Sequence, residues 1–443
     1  MKAFKKVLSL LLALAMMLAL AACGGGSESS GAEGGNSEGG SAEVLEVKIW
    51  DNNQLAGLQE IADLWTEQSG IKVNIQVVTW DDYWTLLEAG ASGGEMPDVF
   101  WMHSNNAQMY MEAGKLLNLN DYIAGSEVVK MENYLPGITE LFSLDGNQYA
   151  IAKDHDTNAL LYNKVLFDKY NQPYPDETWT WETFYEVGKA ITDAGKADGV
   201  YGAAMNTTND QDSYFNIIYD YGGYVINEDH TQSGWDNPNT KAAMNFVGQL
   251  CSDVLAPQEL VSENGTSGLF KNDMAAMIIQ GSYTIAEFYA EEDSEDFAWA
   301  IIPYYDANGD GTAQAEERCS IYNGLGWAAS ASTKDPDACW SLIEWFSSPE
   351  MQTKQSELGV TMSGMVDDSY STGFANAFPG MDIDPFLEVA EEGTLVFRPY
   401  SKYTSRWSDQ YQTELVAAWQ DPSQMDAILD NLAAEMNELL AQE

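Results

Sequence analysis

The chain is poor in positive charge. Its 443 residues include 20 Lys and Arg against 69 Asp and Glu, which gives a formal net charge of −49 at pH 7. A surface of this sign repels phosphate backbones and anionic headgroups, so nucleic acid and anionic membrane surfaces are poor partners. The charge suits a cationic or neutral ligand, a calcium-rich exterior or solubility alone, and it does not identify the ligand.

Cysteine and histidine are also scarce. Beyond Cys23 the chain has Cys251, Cys319 and Cys339, which allow at most one disulfide within a monomer and leave the pairing open. The three histidines lie far apart and show no metal-ligand spacing with the cysteines. A zinc site is therefore not expected.

The N-terminus has the pattern of a secretory signal, because three lysines precede the uncharged apolar run 7–22. The run ends in Leu20-Ala21-Ala22-Cys23, which resembles the lipobox of bacterial lipoproteins. We therefore expect a signal peptide over 1–22, a lipid on Cys23 and a flexible Gly/Ser tether up to residue 43. An ordinary signal peptide followed by a chance cysteine is the alternative.

The rest of the chain is globular in composition and begins with a strand–helix–strand pattern. Apolar and polar residues alternate from Val44 to Ile49, helical spacing follows over 55–65, and alternation returns over 71–77. This order predicts a parallel sheet, and ligands of open α/β sheets bind at the carboxyl ends of the strands. Those ends are 50–53 and 79–82.

Several short motifs, in their order and spacing, resemble the family 1 extracellular solute-binding proteins, the sugar-binding relatives of maltose-binding protein. The motifs are Gly70-Ile71-Lys72-Val73, Trp80-Asp81-Asp82-Tyr83-Trp84, Met96-Pro97-Asp98-Val99-Phe100-Trp101, the run 145–154, Leu161-Tyr162-Asn163-Lys164, Tyr221-Gly222-Gly223, the run 278–283 and the run 321–326. The likeness extends from residue 44 to about residue 349.

The resemblance implies the two-lobed α/β fold of type II periplasmic binding proteins, with hinge segments beneath a cleft that closes on its ligand. It places the crossings between lobes near 153–157, 280–284 and 326–332. Lobe one would comprise 44–153 and 284–328, and lobe two 154–283 and 329–443.

A sugar offers hydroxyl groups around its edge and apolar C–H faces, so its site needs aromatic platforms beside carboxylate, amide or guanidinium groups. Strand-end position and the resemblance together predict these ligand contacts: Asn53, Trp80, Asp82, Trp101, Asp154, Asp156, Asp212, Tyr214, Tyr283, Asn323, Gly324, Trp327 and Arg398. Each tryptophan could instead be a packing residue, and Arg398 could form a salt bridge.

A second motif is independent of the sugar site. Residues Asp306, Asn308, Asp310, Thr312, Gln314 and Glu317 occupy the ligand positions of D-x-[DN]-x-[DN]-G-x5-E, the calcium loop of the EF-hand. A strand-like run precedes the loop, so a complete helix-loop-helix unit is not expected. Structural calcium and a bare acidic loop both remain open.

The expected function is capture of a carbohydrate by a monomeric, lipid-anchored protein on the outer face of a bacterial cell membrane. The partners would be the permease subunits of an ABC importer, and no cofactor or catalytic residue is expected. The alternatives are binding of a peptide or polyamine, a sensing role, and a surface glycosidase that also places carboxylates among aromatic residues.

Overall fold

The computed structural model describes residues 43–135 and 137–443, which form an α/β protein. The strands are β1 (Val44–Ile49), β2 (Lys72–Val77), β3 (Val99–His103), β4 (Ser143–Leu144), β5 (Asn147–Gln148), β6 (Ala150–Ala152), β7 (Asn158–Asn163), β8 (Met277–Gly281), β9 (Phe297–Ile301), β10 (Cys319–Tyr322), β11 (Leu325–Ala329) and β12 (Thr394–Phe397).

Helices occupy most of the chain between the strands. They are α1 (Leu55–Ser69), α2 (Trp80–Gly93), α3 (Ser104–Glu112), α4 (Asn120–Gly125), α5 (Lys164–Lys169), α6 (Trp181–Gly195), α7 (Tyr214–Asp220), α8 (Pro238–Asp253), α9 (Gln258–Lys271), α10 (Ile285–Tyr289), α11 (Pro336–Phe346), α12 (Pro349–Glu357), α13 (Asp368–Asn376), α14 (Asp384–Glu392), α15 (Thr404–Gln420) and α16 (Met425–Leu440). Within the described ranges, no helix has both the length and the apolar character needed to cross a bilayer.

The first sheet has five strands in the order β2-β1-β3-β11-β6. Strand β1 pairs in parallel with β2 and β3, whereas β11 is antiparallel to β3 and β6. The alternation in β1 has the predicted effect, since Leu45, Val47 and Ile49 are fully buried. We call this sheet and the elements packed on it lobe one (residues 44–152 and 325–360).

The second sheet has three antiparallel strands in the order β8-β7-β9. All six residues of its central strand β7 are buried, because helices cover both of its faces. A short parallel pair, β10 with β12, lies beside it. We call this sheet and its surrounding helices lobe two (residues 158–321 and 374–443).

Three segments connect the lobes: 153–157, 322–324 and 361–373. They lie side by side, because the Asp156 N–H donates to the Asn323 carbonyl over 2.8 Å and the His155 N–H donates to the Met362 carbonyl over 3.3 Å. A hinge of adjacent, short segments allows two rigid lobes to rotate relative to each other.

The lobe boundaries differ from those expected from the sequence. Strand β9, inside the range assigned to lobe one, pairs with β7 of lobe two, so residues 280–284 are not a crossing. Helices α11 and α12, assigned to lobe two, pack on sheet one, where Trp340 and Phe346 belong to the core, so residues 326–332 also stay within lobe one. The sheet to which a strand belongs depends on its pairing edge, which a local apolar run does not encode.

Candidate ligand-binding cleft

A cavity of about 840 Å³ lies between the lobes, within the size range of pockets that enclose a drug-sized molecule. Lobe one and the connections line it with Trp50, Asp51, Asn53, Gln54, Trp80, Trp84, Glu88, His103, Asn105, Asn106, Asp154, Asp156, Asn323 and Leu325. Lobe two lines it with Asn206, Thr208, Asn209, Asp210, Gln211, Asp212, Tyr283, Thr284, Glu287, Arg398, Ser405, Ser408, Asp409 and Gln412.

One wall of the cleft is aromatic, and we call Trp50, Trp80 and Trp84 the aromatic wall. Trp50 directly follows β1, and the other two lie one turn apart at the start of α2. The ring centroids of Trp50 and Trp80 are 5.1 Å apart and those of Trp80 and Trp84 are 5.5 Å apart, both edge to face. Trp80 is 41% exposed, so it can offer a ring face to an apolar surface of a ligand.

Three predicted aromatic contacts lie behind the cleft rather than in it. Trp101 and Trp327 are fully buried, and Trp101 packs edge to face against Trp50 at 4.9 Å. Tyr214 is fully buried in lobe two, where its ring lies 5.6 Å from that of Trp419. Strands β3 and β11 are flanked on both edges and covered on both faces, so their tryptophans support the aromatic wall from below.

Two further predictions also fail to reach the cavity. Asp82 is exposed and accepts a hydrogen bond from the Thr79 hydroxyl over 3.0 Å at the start of α2. A Cβ atom on Gly324 would lie 2.4 Å from the Asp154 carbonyl oxygen. Glycine there allows two connecting segments to approach each other, which is a packing role rather than a ligand contact.

A buried cation organises the floor of the cleft. Lys153 is fully buried, and its Nζ donates to Asp154 Oδ2 over 2.5 Å and to Gln54 Oε1 over 2.8 Å. The same ammonium lies 4.6 Å from the centre of the Trp101 ring. Asp154 Oδ1 accepts from the Leu325 N–H over 2.8 Å, so this carboxylate is held by the connecting segment and by lobe one.

Two other carboxyl groups near the hinge have no cation partner among the described residues. Asp156 receives only a long hydrogen bond of 3.5 Å, from Ser282 Oγ, and burial together with the charge of Asp154 raises its pKa well above the usual range. Asp212 accepts from the Tyr283 hydroxyl and, over 2.9 Å, from Asn209 Nδ2. Burial raises the pKa of Asp212 to about 6.

Arg398 is held by a single carboxylate. Its Nε and Nη2 donate to Asp210 Oδ1 over 2.9 and 2.6 Å, and the Tyr411 hydroxyl donates to the other oxygen of Asp210. The Nη1 atom is buried and has no hydrogen-bond partner among the described residues, although Arg398 lines the cavity. The expected salt bridge and the expected cleft position therefore both occur.

Asn323 connects the lobes beneath the cleft. Its amide lies 2.8 Å from Ser104 Oγ and 2.8 Å from His103 Nε2 in lobe one, and 3.1 Å from Gln211 Oε1 in lobe two. Burial lowers the pKa of His103 well below its usual range, so this imidazole is neutral at pH 7. The result is an uncharged polar bridge that spans the hinge.

Helices α3 and α15 face each other across the cleft. Asn105 and Asn106 line it from α3, and Ser408 lines it from α15. Beside them Lys402 Nζ lies 2.7 Å from Glu112 Oε2, which forms an ion pair between the lobes. Both side chains are about one-third exposed, so the pair is screened by water and salt.

A family model described as "Bacterial extracellular solute-binding protein" matches residues 50–353, more than half of the chain. The chain belongs to this family. The family comprises binding proteins rather than enzymes, in agreement with the expectation that the cleft holds a ligand without transforming it.

The named relatives of this solute-binding protein are distant in sequence, and the two described here are both named as sugar-binding proteins. A maltotriose-binding protein of Pyrococcus abyssi (strain GE5 / Orsay) is 24% identical over 319 residues, which are 71% of this chain and 65% of the relative. A lactose-binding protein of Rhizobium radiobacter is 23% identical, over 66% of this chain and 68% of the relative. The match therefore spans about two thirds of the length of these relatives.

Solved structures share the fold. An ABC substrate-binding protein from Listeria monocytogenes, in complex with cycloalternan, superposes with a TM-score of 0.81 and covers 90% of this chain and 99% of that chain at 21% identity. The two-lobed α/β fold predicted from the sequence is confirmed.

The structure brings together eight of the thirteen predicted ligand contacts of the solute-binding protein: Asn53, Trp80, Asp154, Asp156, Asp212, Tyr283, Asn323 and Arg398. Sequence reasoning missed Trp50 and Trp84, although both stand in segments that it had identified. It also missed Gln211, next to Asp212. The residues of α15 had no local signal, because nothing in that helical pattern indicates which face meets the other lobe.

In the acidic loop 306–317, carboxylate side chains accept hydrogen bonds from backbone N–H groups of the same loop. Asp306 Oδ1 accepts from the Gly309 N–H over 2.7 Å, and Glu317 accepts from the N–H groups of Ala307 and Gln314 over 3.2 Å each. Within the described residues, no group of three or more His, Cys, Asp or Glu side chains is positioned to hold a metal ion. Calcium binding by this loop stays a prediction.

The expected signal peptide, Cys23 and the tether up to residue 42 lie outside the described residues. The remaining three cysteines are free thiols: Cys319 and Cys339 are buried, and Cys251 is partly buried. The question of pairing left open by the sequence is therefore answered for these three residues, which form no disulfide with one another.

Proposed function

We propose that this solute-binding protein captures a carbohydrate outside the cell and delivers it to an ABC importer. The main support for this proposal is the chemistry of the cleft. An aromatic wall faces polar groups across a cavity large enough for more than one hexose. The names of the maltotriose-binding and lactose-binding relatives support the same class of ligand.

The polar groups left without partners match a polyhydroxyl ligand. Four buried atoms of the cleft have no hydrogen-bond partner among the described residues: Trp84 Nε1, Asn105 Oδ1, Asp212 Oδ1 and Arg398 Nη1. Two are donors and two are acceptors. Leaving such atoms unpaired is costly, so a ligand that both donates and accepts hydrogen bonds would recover that cost.

Binding would close the cleft, because the ligand makes more contacts in the closed arrangement than in the open one. The aromatic wall belongs to lobe one, whereas Asp212 and Arg398 belong to lobe two. A sugar that touches both sides interacts more strongly with the closed arrangement, and this difference in free energy shifts the population toward closure. A permease can then distinguish the loaded protein from the empty one by its shape.

Attachment to the membrane through a lipid on Cys23 is part of the proposal. A small-residue segment before the cysteine and a Gly/Ser/Glu-rich stretch after it support this arrangement. A Cys23→Ser variant should leave the membrane fraction and appear in the medium, whereas the native sequence should remain with the membrane until a lipase or detergent releases it.

A thermal-shift panel of mono- and oligosaccharides tests the proposed ligand class on the purified protein. We expect a glycan to raise the melting temperature, and Trp80→Ala to reduce that shift with little loss of unliganded stability. Tyr174→Ala is the matched control, since Tyr174 is 40% exposed on lobe two and does not line the cleft. Absence of any shift, or release of product from nitrophenyl glycosides and natural glycans, would contradict the proposal.

A further inference from the structure

The cleft has an unusual balance of charge. Among the described residues that line it, eight are Asp or Glu, and Arg398 is the one Lys or Arg. A cleft lined by charge of one sign focuses the electrostatic field and raises the local concentration of the opposite charge. A neutral ligand would gain nothing from this field.

Three of the eight carboxyl groups already have a cation partner. Arg398 pairs with Asp210 at 2.6 Å, Lys153 with Asp154 at 2.5 Å, and Lys271 with Glu287 at 2.8 Å. The remaining five carboxyl groups have no ion-pair partner among the described residues: Asp51, Glu88, Asp156, Asp212 and Asp409. Asp156 adds least to the negative charge, because its pKa is raised well above the usual range. The other four carboxyl groups leave unbalanced negative charge facing the cavity.

Asp212 is a second, independent indication of a cationic ligand group, because one of its carboxylate oxygen atoms has no partner among the described residues. The residue is 7% exposed and lines the cavity, yet its Oδ1 has no hydrogen-bond partner among the described residues. A buried carboxylate oxygen without a donor is costly, and a charged donor satisfies it better than a neutral hydroxyl does. A ligand ammonium at this position would supply both charge and hydrogen bond.

The opposite wall favours the same kind of group. The faces of Trp50 and Trp80 attract cations through the ring quadrupole as well as the apolar faces of sugars. Arg398 sets a second condition, since its buried Nη1 needs an oxygen acceptor and repels a bare cation. A ligand that satisfies both must carry an ammonium group together with hydroxyl or ring oxygens, which a simple polyamine lacks.

We propose that the carbohydrate bound by this cleft is an amino sugar, or an oligosaccharide that contains one, with its protonated amine directed at Asp212. This inference rests on the proposed carbohydrate function and specifies its ligand class. Burial raises the pKa of Asp212 to about 6, so the carboxyl is mainly ionised at neutral pH, as the proposed contact requires.

The test is titration calorimetry at about pH 7 with ligands matched except at one substituent. The sets are glucose, glucosamine and N-acetylglucosamine, the galactose equivalents, and the β-1,4-linked trimers of glucose, glucosamine and N-acetylglucosamine. We expect the free amine of a set to bind about tenfold more tightly than its hydroxyl or N-acetyl counterpart. The preference should shrink when salt is raised, because the rim carboxylates Glu88 and Asp409 are exposed and screened.

Two variants test whether the preference for the amine depends on Asp212. Asp212→Asn should abolish the amine preference, whereas Glu67→Gln, on the exposed face of α1, changes the net charge equally and should leave it intact. If Asp212→Asn does not fold, the rim pair Glu88→Gln with Asp409→Asn provides the second route, with an expected reduction of the preference by about threefold.

The outcomes separate this inference from the proposed function. Equal or tighter binding of the hydroxyl or N-acetyl member overturns the amino-sugar assignment and leaves carbohydrate capture standing. Spermidine is titrated beside the sets as a polyamine without oxygen atoms, and tighter binding of spermidine than of every sugar overturns the assignment as well. The absence of binding by every set also overturns it. Carbohydrate capture itself fails if the broader neutral glycan panel also gives no response, or if the protein releases product from glycosides or natural glycans.

Discussion

Replacement of Asp212 by Asn should change how the stability of the unliganded protein depends on pH. The Asp212 carboxyl is buried near the hinge and its pKa is raised from 3.8 to about 6, chiefly by the loss of water around the charged form. The folded state therefore binds this proton more tightly than the unfolded state does. The group contributes stability that is fully present below about pH 4 and is lost as the pH rises through about 6.

The magnitude follows from the size of the change in pKa. One pKa unit corresponds to about 1.4 kcal/mol, so a change from 3.8 to about 6 corresponds to about 3 kcal/mol between acid and neutral pH. Asparagine does not titrate. The free energy of unfolding of Asp212→Asn, relative to that of the unmodified protein, should therefore rise by up to about 3 kcal/mol from pH 3.5 to pH 7.5.

Urea unfolding followed by tryptophan fluorescence at several pH values would measure this difference. Asp229→Asn, which removes a carboxylate from an exposed turn, is the matched control for the loss of one charge. A stability difference that stays constant across the range, or that falls as the pH rises, would refute the reasoning about Asp212.

Two other predictions follow from the packing, and a third follows from the sequence of the acidic loop. Trp101→Ala should lower the free energy of unfolding by about 3–5 kcal/mol because Trp101 is fully buried, whereas Trp80→Ala should weaken glycan affinity with a much smaller effect on stability; melting curves and calorimetry distinguish them. Arg398→Met should cost about 3–5 kcal/mol by leaving Asp210 buried without its cation, and adding Asp210→Asn should restore part of that loss in urea titrations. Calcium should raise the melting temperature of the unmodified protein but not of Asp306→Ala, and chelator should reverse the effect.

Local patterns predicted the first lobe well. The alternation in β1, the helical spacing of α1 and the alternation in β2 each depend on neighbouring residues, and all three elements occur where expected. The same patterns did not show to which lobe β9 belongs. Its pairing with β7 joins residues more than a hundred positions apart, and an apolar run of five residues suits either sheet.

The tryptophans illustrate why the cleft was only partly predictable. Trp50 and Trp101 both follow apolar residues near the carboxyl ends of neighbouring strands. The sequence alone does not show which of the two reaches the cleft. Trp101 belongs to β3, which is buried throughout and has strands on both sides, so no alternation reveals which face it occupies. The wrong tryptophan was consequently assigned to the cleft, while Trp50 was overlooked.

By itself, the sequence determined the class of the protein: an acidic α/β chain with an export signal pattern, a strand–helix–strand beginning and motifs in the order of a binding-protein family. The tertiary structure alone decided which carboxylates keep their charge for a ligand. Lys153 pairs with its neighbour Asp154, yet Arg398 neutralises Asp210 across 188 positions of sequence. Such pairs form because folding brings distant segments together in a dry interior, where an unpaired charge is costly, and no local pattern records that proximity.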